Sequence, residues 1–455
     1  MSRRLILSLL SLLVISLGTF AAIKFAQGYR PSFGGPQALK GTGLLVANSF
    51  PSGAQVFLNG KLTTATDDTL NLPPGDYQVD IKKDGFHAWS KRLKLEPELV
   101  TQTNATLFPA VPTLRPLTFS GALNPLPSPD GQKIAYVVTA SANPTQTGLW
   151  VLELTQSPSF LRKDPRQIAR NNGLDFSIAT LAWSPDSSQI LVHLDKNNFL
   201  LDATRFNDNL ELKDVTARLT LILSDWEERL AKKQLQQLLT LPLALPALLL
   251  ESATNLYFSP DETKLLYTAT KDINLPQGLL PPLPASSTQN QQRQLAPNAT
   301  YVYDLKEDKN FLVSPPPPAE LGNEAKTPPH KILLVDSLEI PPTTSPSALP
   351  AGRQAYTKLQ DFPLLIDTLA ALTAQYTPLP IQPLQWFPTS SHLIAIAEGK
   401  ITVLEYDGLN QTTIFSGTFR PGFAYPAPNG SQMIILTNLN QDSDLPPNLY
   451  SIDLK

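Results

Sequence analysis

One short phrase recurs through the C-terminal part of the chain and restricts its fold more than any other feature. Ser128-Pro129-Asp130-Gly131 leads into Ile134-Ala135-Tyr136-Val137, Ser184-Pro185-Asp186 into Ile190-Leu191-Val192, and Ser259-Pro260-Asp261 into Leu265-Leu266-Tyr267. Two weaker copies follow: Phe387-Pro388-Thr389 before Leu393-Ile394-Ala395, and Ala427-Pro428-Asn429-Gly430 before Met433-Ile434-Ile435. Downstream of most copies a second strand pattern ends in an acid, at Glu153, Asp304, Glu405 and Asp453. Proline presets φ for a turn, and aspartate bonds back to nearby backbone N–H groups, so each copy reads as a tight turn between paired strands. One such unit leaves both faces bare, and stacking the units radially buries them, which predicts a β-propeller. The three strong acids stand 56 and 75 residues apart, and the last two copies 40 apart, near the ~40–45 residues of a single blade. The gap of 128 residues between Asp261 and Thr389 leaves room for a further blade with an eroded turn. About six blades are expected over 110–455, with five or seven as the neighbouring counts.

Two insertions interrupt the repeat. At 224–251, Ser224-Asp225-Trp226-Glu227 has the pattern of a capping box, in which Ser and Glu satisfy two N–H groups at a helix start. Leu230, Leu235, Leu238 and Leu239 follow at roughly helical spacing until Pro242 and Pro246 break the run. The expectation is a helix on the side or end of the propeller. At 313–380 the chain holds Pro315-Pro316-Pro317-Pro318, Pro328-Pro329 and Pro341-Pro342, a composition that favours extended chain. Proline makes up 44 of 455 residues, roughly double the ~5% average, so a mainly β chain rich in turns is expected throughout.

The N-terminus sets a location. Leu5 to Ala22 carries no charge, and Arg3 and Arg4 precede it. Eighteen helical residues reach about 27 Å, close to the ~30 Å of a bilayer core. Basic residues ahead of the run favour an N-terminus inside. Residues 1–27 therefore read as a membrane anchor, with a cleaved signal peptide as the alternative, and either exports the rest. The expected place is the cytoplasmic membrane, single-pass, with the bulk of the chain extracytoplasmic. Residues 28–41 form a Gly- and Pro-rich linker.

A separate small β unit occupies 42–109. Gln55-Val56-Phe57-Leu58 runs into Asn59-Gly60, a strong signal for a two-residue hairpin turn. After Pro73-Pro74-Gly75, Tyr77, Val79 and Ile81 alternate with polar residues, giving one buried and one wet face. Pro51-Ser52-Gly53-Ala54, Val56 to Lys61, Leu72 to Tyr77, and Lys83-Asp84-Gly85-Phe86 with Trp89 resemble the PEGA domain in that order. The resemblance implies a small surface-associated β-sandwich without chemistry of its own, in which Phe86 and Trp89 are core residues; the other role open to Trp89 is stacking on carbohydrate. The repeated unit is similar to TolB-like and WD-like propellers. The combination resembles membrane-anchored proteins of uncultured bacteria.

Chemistry is harder to find. The four histidines, His87, His193, His330 and His392, stand far apart, with no metal-ligand spacing. There is no Cys, no G-x-S-x-G elbow and no phosphate loop. The net charge of −3 with 16% charged residues gives no electrostatic footprint for nucleic acid. Asp130, Asp186 and Asp261 recur once per repeat, as turn-capping residues do; a shared calcium or catalytic site is the other reading. No catalytic, cofactor or metal residue is assigned, and no cofactor is expected. The expected function is non-catalytic binding or scaffolding in the cell envelope, with an envelope protein or glycan as partner. The alternatives are a propeller-cleft enzyme acting on envelope glycans and a TolB-like accessory of an export complex.

Overall fold

The computed structural model describes residues 3–26, 30–31, 39–139, 144–155, 164–208, 212–242, 244–281, 283, 287–315, 384–420, 423–439 and 446–455. His330 and most of the Pro-rich insertion lie outside these residues, as does most of the linker. Helix α1 covers Arg3–Ala26, 24 residues, about 36 Å at ~1.5 Å per residue. Its side chains are described from position 8 to position 24. Among the described residues no helix is long and apolar enough to cross a membrane.

The small β unit is a two-sheet sandwich. Its strands are β1 (Gly43–Ala47), β2 (Gln55–Leu58), β3 (Lys61–Ala65), β4 (Asp68–Leu72), β5 (Gly75–Lys82), β6 (Trp89–Leu95) and β7 (Val100–Gln102). One sheet runs in the order β3-β2-β5-β6 and the other β7-β1-β4. Asn59 and Gly60 join β2 to β3 with φ of 48° and 80°, the left-handed pair that a type I′ turn requires. Leu45, Val56, Val79, Ile81, Trp89 and Leu93 fill the space between the sheets.

Five further sheets follow as blades. Blade 1 uses Leu123–Pro127, Lys133–Val138, Gly148–Glu153 and Arg166–Arg170. Blade 2 has three strands, Thr180–Trp183, Gln189–Leu194 and Asn197–Asp202. Blade 3 uses Ala253–Phe258, Lys264–Ala269, Thr300–Asp304 and Lys309–Ser314. Blade 4 uses Leu384–Trp386, His392–Ala397, Lys400–Glu405 and Thr412–Ser416. Blade 5 takes Ala424–Pro426, Gln432–Thr437 and Asn448–Asp453 from the end of the chain, and its outer strand β8 (Leu114–Pro116) from the beginning of the repeat region.

A simple rule joins the blades. In each second strand the first and third apolar residues face the preceding neighbour, and the second faces the following one. Ile190 and Val192 of blade 2 pack with Ala135 and Val137 of blade 1. Met433 and Ile435 of blade 5 pack with Ile394 and Val403 of blade 4. Ile134 and Tyr136 of blade 1 pack with Ile434 and Leu436 of blade 5, which brings the series back to its start. Inner strands are also tied directly: the Trp183 indole N–H donates to Leu126 O at 3.0 Å, and that of Trp386 to Tyr257 O at 2.9 Å.

This packing corrects two expectations. Blades 3 and 4 touch each other, with Leu266 and Val302 against Trp386 and Leu393, so the gap between Asp261 and Thr389 inserts no blade between them. The break in the series falls between blades 2 and 3 instead, and helices α2 (Leu219–Leu239) and α3 (Leu245–Ser252) fill it. Leu223 and Trp226 of α2 cover Ala182 and Leu191 of blade 2. Leu238 of α2 and Leu245 and Leu249 of α3 cover Leu265, Tyr267 and Tyr301 of blade 3. The helical pair is thus a wedge within the ring, not an addition to its side or end. Among the described residues there are five blades plus this wedge. The expected capping box also fails: α2 starts at Leu219, so Ser224 lies inside it, and its N-cap residue Arg218 makes no side-chain cap bond. Leu219, Ile222 and Leu223 extend the apolar face upstream against blade 2, and that burial carries the helix past the local start signal.

Candidate functional site: a charged joint between the two units

The three recurrent aspartates each complete their own turn. Asp130, Asp186 and Asp261 accept a hydroxyl bond from the serine two residues earlier, at 2.5, 2.6 and 2.7 Å. Each also accepts a backbone N–H from two residues later, at 3.0–3.1 Å. Burial alone would raise the Asp186 and Asp261 carboxyls, but these bonds outweigh it and hold both below the usual carboxylate range. The same turns lock neighbouring blades: Ser187 Oγ of blade 2 accepts the Asp130 N–H, and Ser390 Oγ of blade 4 accepts the Asp261 N–H, each at 3.0 Å. The structure does not converge the three acids. Among the described residues no group of three or more His, Asp or Glu is placed to hold a metal ion.

A second set of acids recurs at the ends of the third strands. Each has a cation. Glu153 meets Arg166 at 3.3 Å, Asp202 meets Arg205 at 3.1 Å, Asp304 meets Lys264 at 3.6 Å, and Asp453 meets Arg115 at 2.8 Å. In these four cases the partner belongs to the same blade or its completing strand. Blade 4 is different. The residue paired across the ladder from the acid is Lys133, Gln189, Lys264 and Gln432 in the other blades, and His392 opposite Glu405 in this one. The cation for Glu405 comes from the small β unit: Lys91 Nζ sits against Glu405 and lies 2.5 Å from Asp407 Oδ2.

This joint is dry and fully bonded. The side chains of Lys91, Glu405 and Asp407 are 11%, 8% and 1% exposed. Glu405 Oε1 also accepts the Trp89 indole N–H at 2.5 Å and the Asn410 amide at 3.2 Å. Asp407 Oδ1 accepts the Leu409 N–H at 3.1 Å. Burial pulls the Lys91 ammonium down, but Glu405 and Asp407 outweigh it and hold it above the ordinary lysine value. With one cation between two acids, burial and the Glu405 charge push Asp407 up despite Lys91. Beside them His392 is buried against Phe108 and Phe387, ring to ring, at 5.5 and 6.2 Å. Burial, and then the Lys91 charge, push its imidazole down to about 4.

The outer edge of β6 completes the contact. An edge strand presents a row of unpaired backbone groups at every second residue. Here the Ser90 N–H donates to Asn410 Oδ1 at 2.9 Å, the Arg92 carbonyl accepts from Gln289 at 2.9 Å, and the Lys94 N–H donates to Thr288 Oγ1 at 3.2 Å. Blades 3 and 4 thereby seal that edge with side chains. Phe86 is half-buried in the small core, and Trp89, 2% exposed, spans both units; its ring is not available for stacking on a carbohydrate. His193 bonds Asn198 at 2.8 Å within blade 2, and His87 lies in the small unit, so the described histidines do not form one site. Sequence reasoning missed Lys91, Asp407 and Asn410. Glu405 stood out only as one of several strand-end acids, and the histidine opposite it, where the other blades carry lysine or glutamine, was the available signal.

One of the two units has a family match. Residues 42–110 match the PEGA domain. No curated protein matches the chain. Among solved structures, it is similar to a protein from Agrobacterium tumefaciens described as TolB, at 12% identity over 73% of this chain and 72% of that one, with a TM-score of 0.19. It is also similar to TolB from Acinetobacter baumannii, at 10% identity over 83% of this chain and 60% of that one, TM-score 0.19. A third is Kuenenia stuttgartiensis hydrazine synthase, at 10% identity over 93% and 99%, TM-score 0.18. The propeller assignment rests on the blade packing above and not on these likenesses. The molecule is a mainly β protein in which a PEGA domain is docked on a propeller.

Proposed function

We propose that the chain is a membrane-anchored, extracytoplasmic binding or scaffolding protein of the cell envelope that presents its propeller to an envelope protein or glycan. The observation that carries this reading is the bare helix α1. Its large apolar side chains between Leu9 and Ile23 are 51–65% exposed, a surface that calls for lipid or protein cover. The uncharged run from Leu5 to Ala22 supports the same reading. The recurrent acids have structural duties in turns and strand ends, which favours a scaffold over a glycan-cleaving enzyme. Fractionation of expressing bacteria tests the anchor: the chain is expected in membranes after an alkaline wash, with an intact mass that includes Leu5 to Ala22. A soluble chain, or one that begins between Ala22 and Gln27, would defeat it. Capture from intact envelopes with the full chain in detergent is expected to recover a defined protein or glycan. Turnover of envelope glycan by the purified chain would defeat the scaffold reading.

A further inference from the structure

We propose that the joint between the PEGA domain and blade 4 is an acid-released latch, in which His392, once protonated, takes over the cation position that Lys91 fills at neutral pH. The inference is independent of the anchor reading. It begins from the cross-strand position opposite the strand-end acid. Blades 1 and 3 keep a lysine there, and in blade 3 Lys264 pairs with Asp304. Blades 2 and 5 keep a glutamine, and their acids find an arginine elsewhere in the blade. Blade 4 alone of the five described has a histidine at this position, a residue that changes charge between pH 5 and 8 once it is free of the burial that holds it neutral. With His392 neutral, Glu405 and Asp407 have no cation from their own blade, and the PEGA domain supplies Lys91. A protonated His392 restores the arrangement of blade 3 and makes Lys91 one cation too many.

The covering of His392 gives the direction of the effect. Phe108 comes from the end of the PEGA domain and Lys91 from its edge strand; Phe387, Thr389 and Asp407 come from blade 4. The charged groups around the imidazole are Lys91 on the domain side and, on the blade side, Asp407 and the cross-strand Glu405. While the joint is closed, burial and the Lys91 ammonium resist the proton. Opening removes both and returns the imidazole to its ordinary range near 6.5. The open form therefore binds more protons below that pH, and falling pH draws the equilibrium towards it. Asp407 pulls the other way in the carboxylate range, because burial raises it in the closed form. Release therefore sets in below about pH 6.5, is steepest about midway between the open and closed values of the imidazole, and reaches its full ~10²-fold effect on the closed-to-open ratio only near pH 4.

The chain has no cysteine, so two labelled sites can be added without background. Full-length chain in detergent, spin-labelled at Thr63→Cys on the PEGA domain and Lys400→Cys on blade 4, both exposed, gives an interdomain distance distribution. One short population is expected at pH 7.5. A longer one is expected to grow below pH 6.5 with circular dichroism unchanged. His392→Gln, the residue of blades 2 and 5, is expected to stay closed to pH 5. His392→Lys, the residue of blades 1 and 3, is expected to be open at every pH, and Lys91→Met likewise. A wild-type distribution that stays unchanged to pH 4.5, a His392→Lys chain that stays closed, or a His392→Gln chain that opens at the wild-type midpoint would each overturn the proposal. If a His392 variant fails to fold, amide exchange in the unsubstituted chain decides. Protection factors at Ser90 and Lys94 should drop by up to ~10² as pH falls from 6.5 towards 4, while those of Val79 and Ile81 hold. Equal behaviour of all four would overturn the proposal.

Discussion

The joints between blades and the joint between the two domains solve one problem with opposite chemistry. Blade faces meet through aliphatic and aromatic side chains, and the few polar ties between them, such as Ser187 to the Asp130 N–H, link turns that repeat along the sequence. The PEGA joint has one apolar anchor, Phe108, and otherwise meets through a lysine, two carboxylates, an indole and a row of amide and hydroxyl side chains. Apolar stacking carries no titrating group, is not weakened by charge screening, and tolerates drift in sequence. A buried ionic joint gains little net stability over an apolar one but is destroyed when one partner is lost. The ring is therefore built to persist and the domain joint to be specific.

The comparison is broken most directly at Lys91. Lys91→Met leaves two carboxylates facing each other without a cation, and removing one member of a buried ionic group costs about 3–5 kcal/mol. Labelled domains are expected to separate while the blades stay folded. Adding Glu405→Gln and Asp407→Asn should recover most of the loss, because a neutral joint has no orphaned charge. Loss of docking in the triple variant equal to that of Lys91→Met would show that the charges are not what holds the domains. Alkali gives the same test without mutation. A lysine held above 10.5 contributes fully below that pH, and the contribution is lost as pH rises through the folded value. Docking should fail on that limb in the natural chain and show no such limb in Lys91→Met.

A smaller effect probes the wedge. Leu249 is fully buried against blade 3. Leu249→Ala should cost about 2–4 kcal/mol, with amide protection lost first in the helices and blade 3. Uniform loss around the ring would mean that the helices do not substitute locally for a blade. The smallest effects belong to the turns. Asp130→Ala, Asp186→Ala and Asp261→Ala should each cost about 0.5–2 kcal/mol by analogy with other capping losses. The costs should add, because the residues sit in separate blades, and EDTA should leave the unfolding midpoints unchanged. Strong coupling with a chelator-sensitive natural chain would replace the turn reading with a shared cation site.

What the sequence revealed and what it hid follow the same division. The turns, the hairpin at Asn59-Gly60 and the alternation of Tyr77, Val79 and Ile81 depend on neighbours a few residues away, and those patterns were readable. The PEGA motifs were readable for the same reason. The joint depends on pairs 316 residues apart, Trp89 with Glu405 and Lys91 with Asp407, and no local period marks such pairs. The start of α2 was misread because Ser224 and Glu227 satisfy a local pattern while Leu219 and Leu223 answer to blade 2. The wedge was hidden because a leucine-rich helix on a propeller face and one between two blades have the same composition.

The closing strand β8 also dictates an order of events. It leaves the ribosome long before its partner: Leu114 pairs with Ile452 and Pro116 with Tyr450. Through most of synthesis β8 must therefore wait with its pairing edge unfilled, tethered just behind a PEGA domain that has already emerged. Blades 1 to 4 can fold as they appear, but the ring can close only when Asn448–Asp453 arrives. A chain cut short before Asn448 would carry an open ring and an idle strand, which is the kind of ragged product that a quality-control protease can recognise.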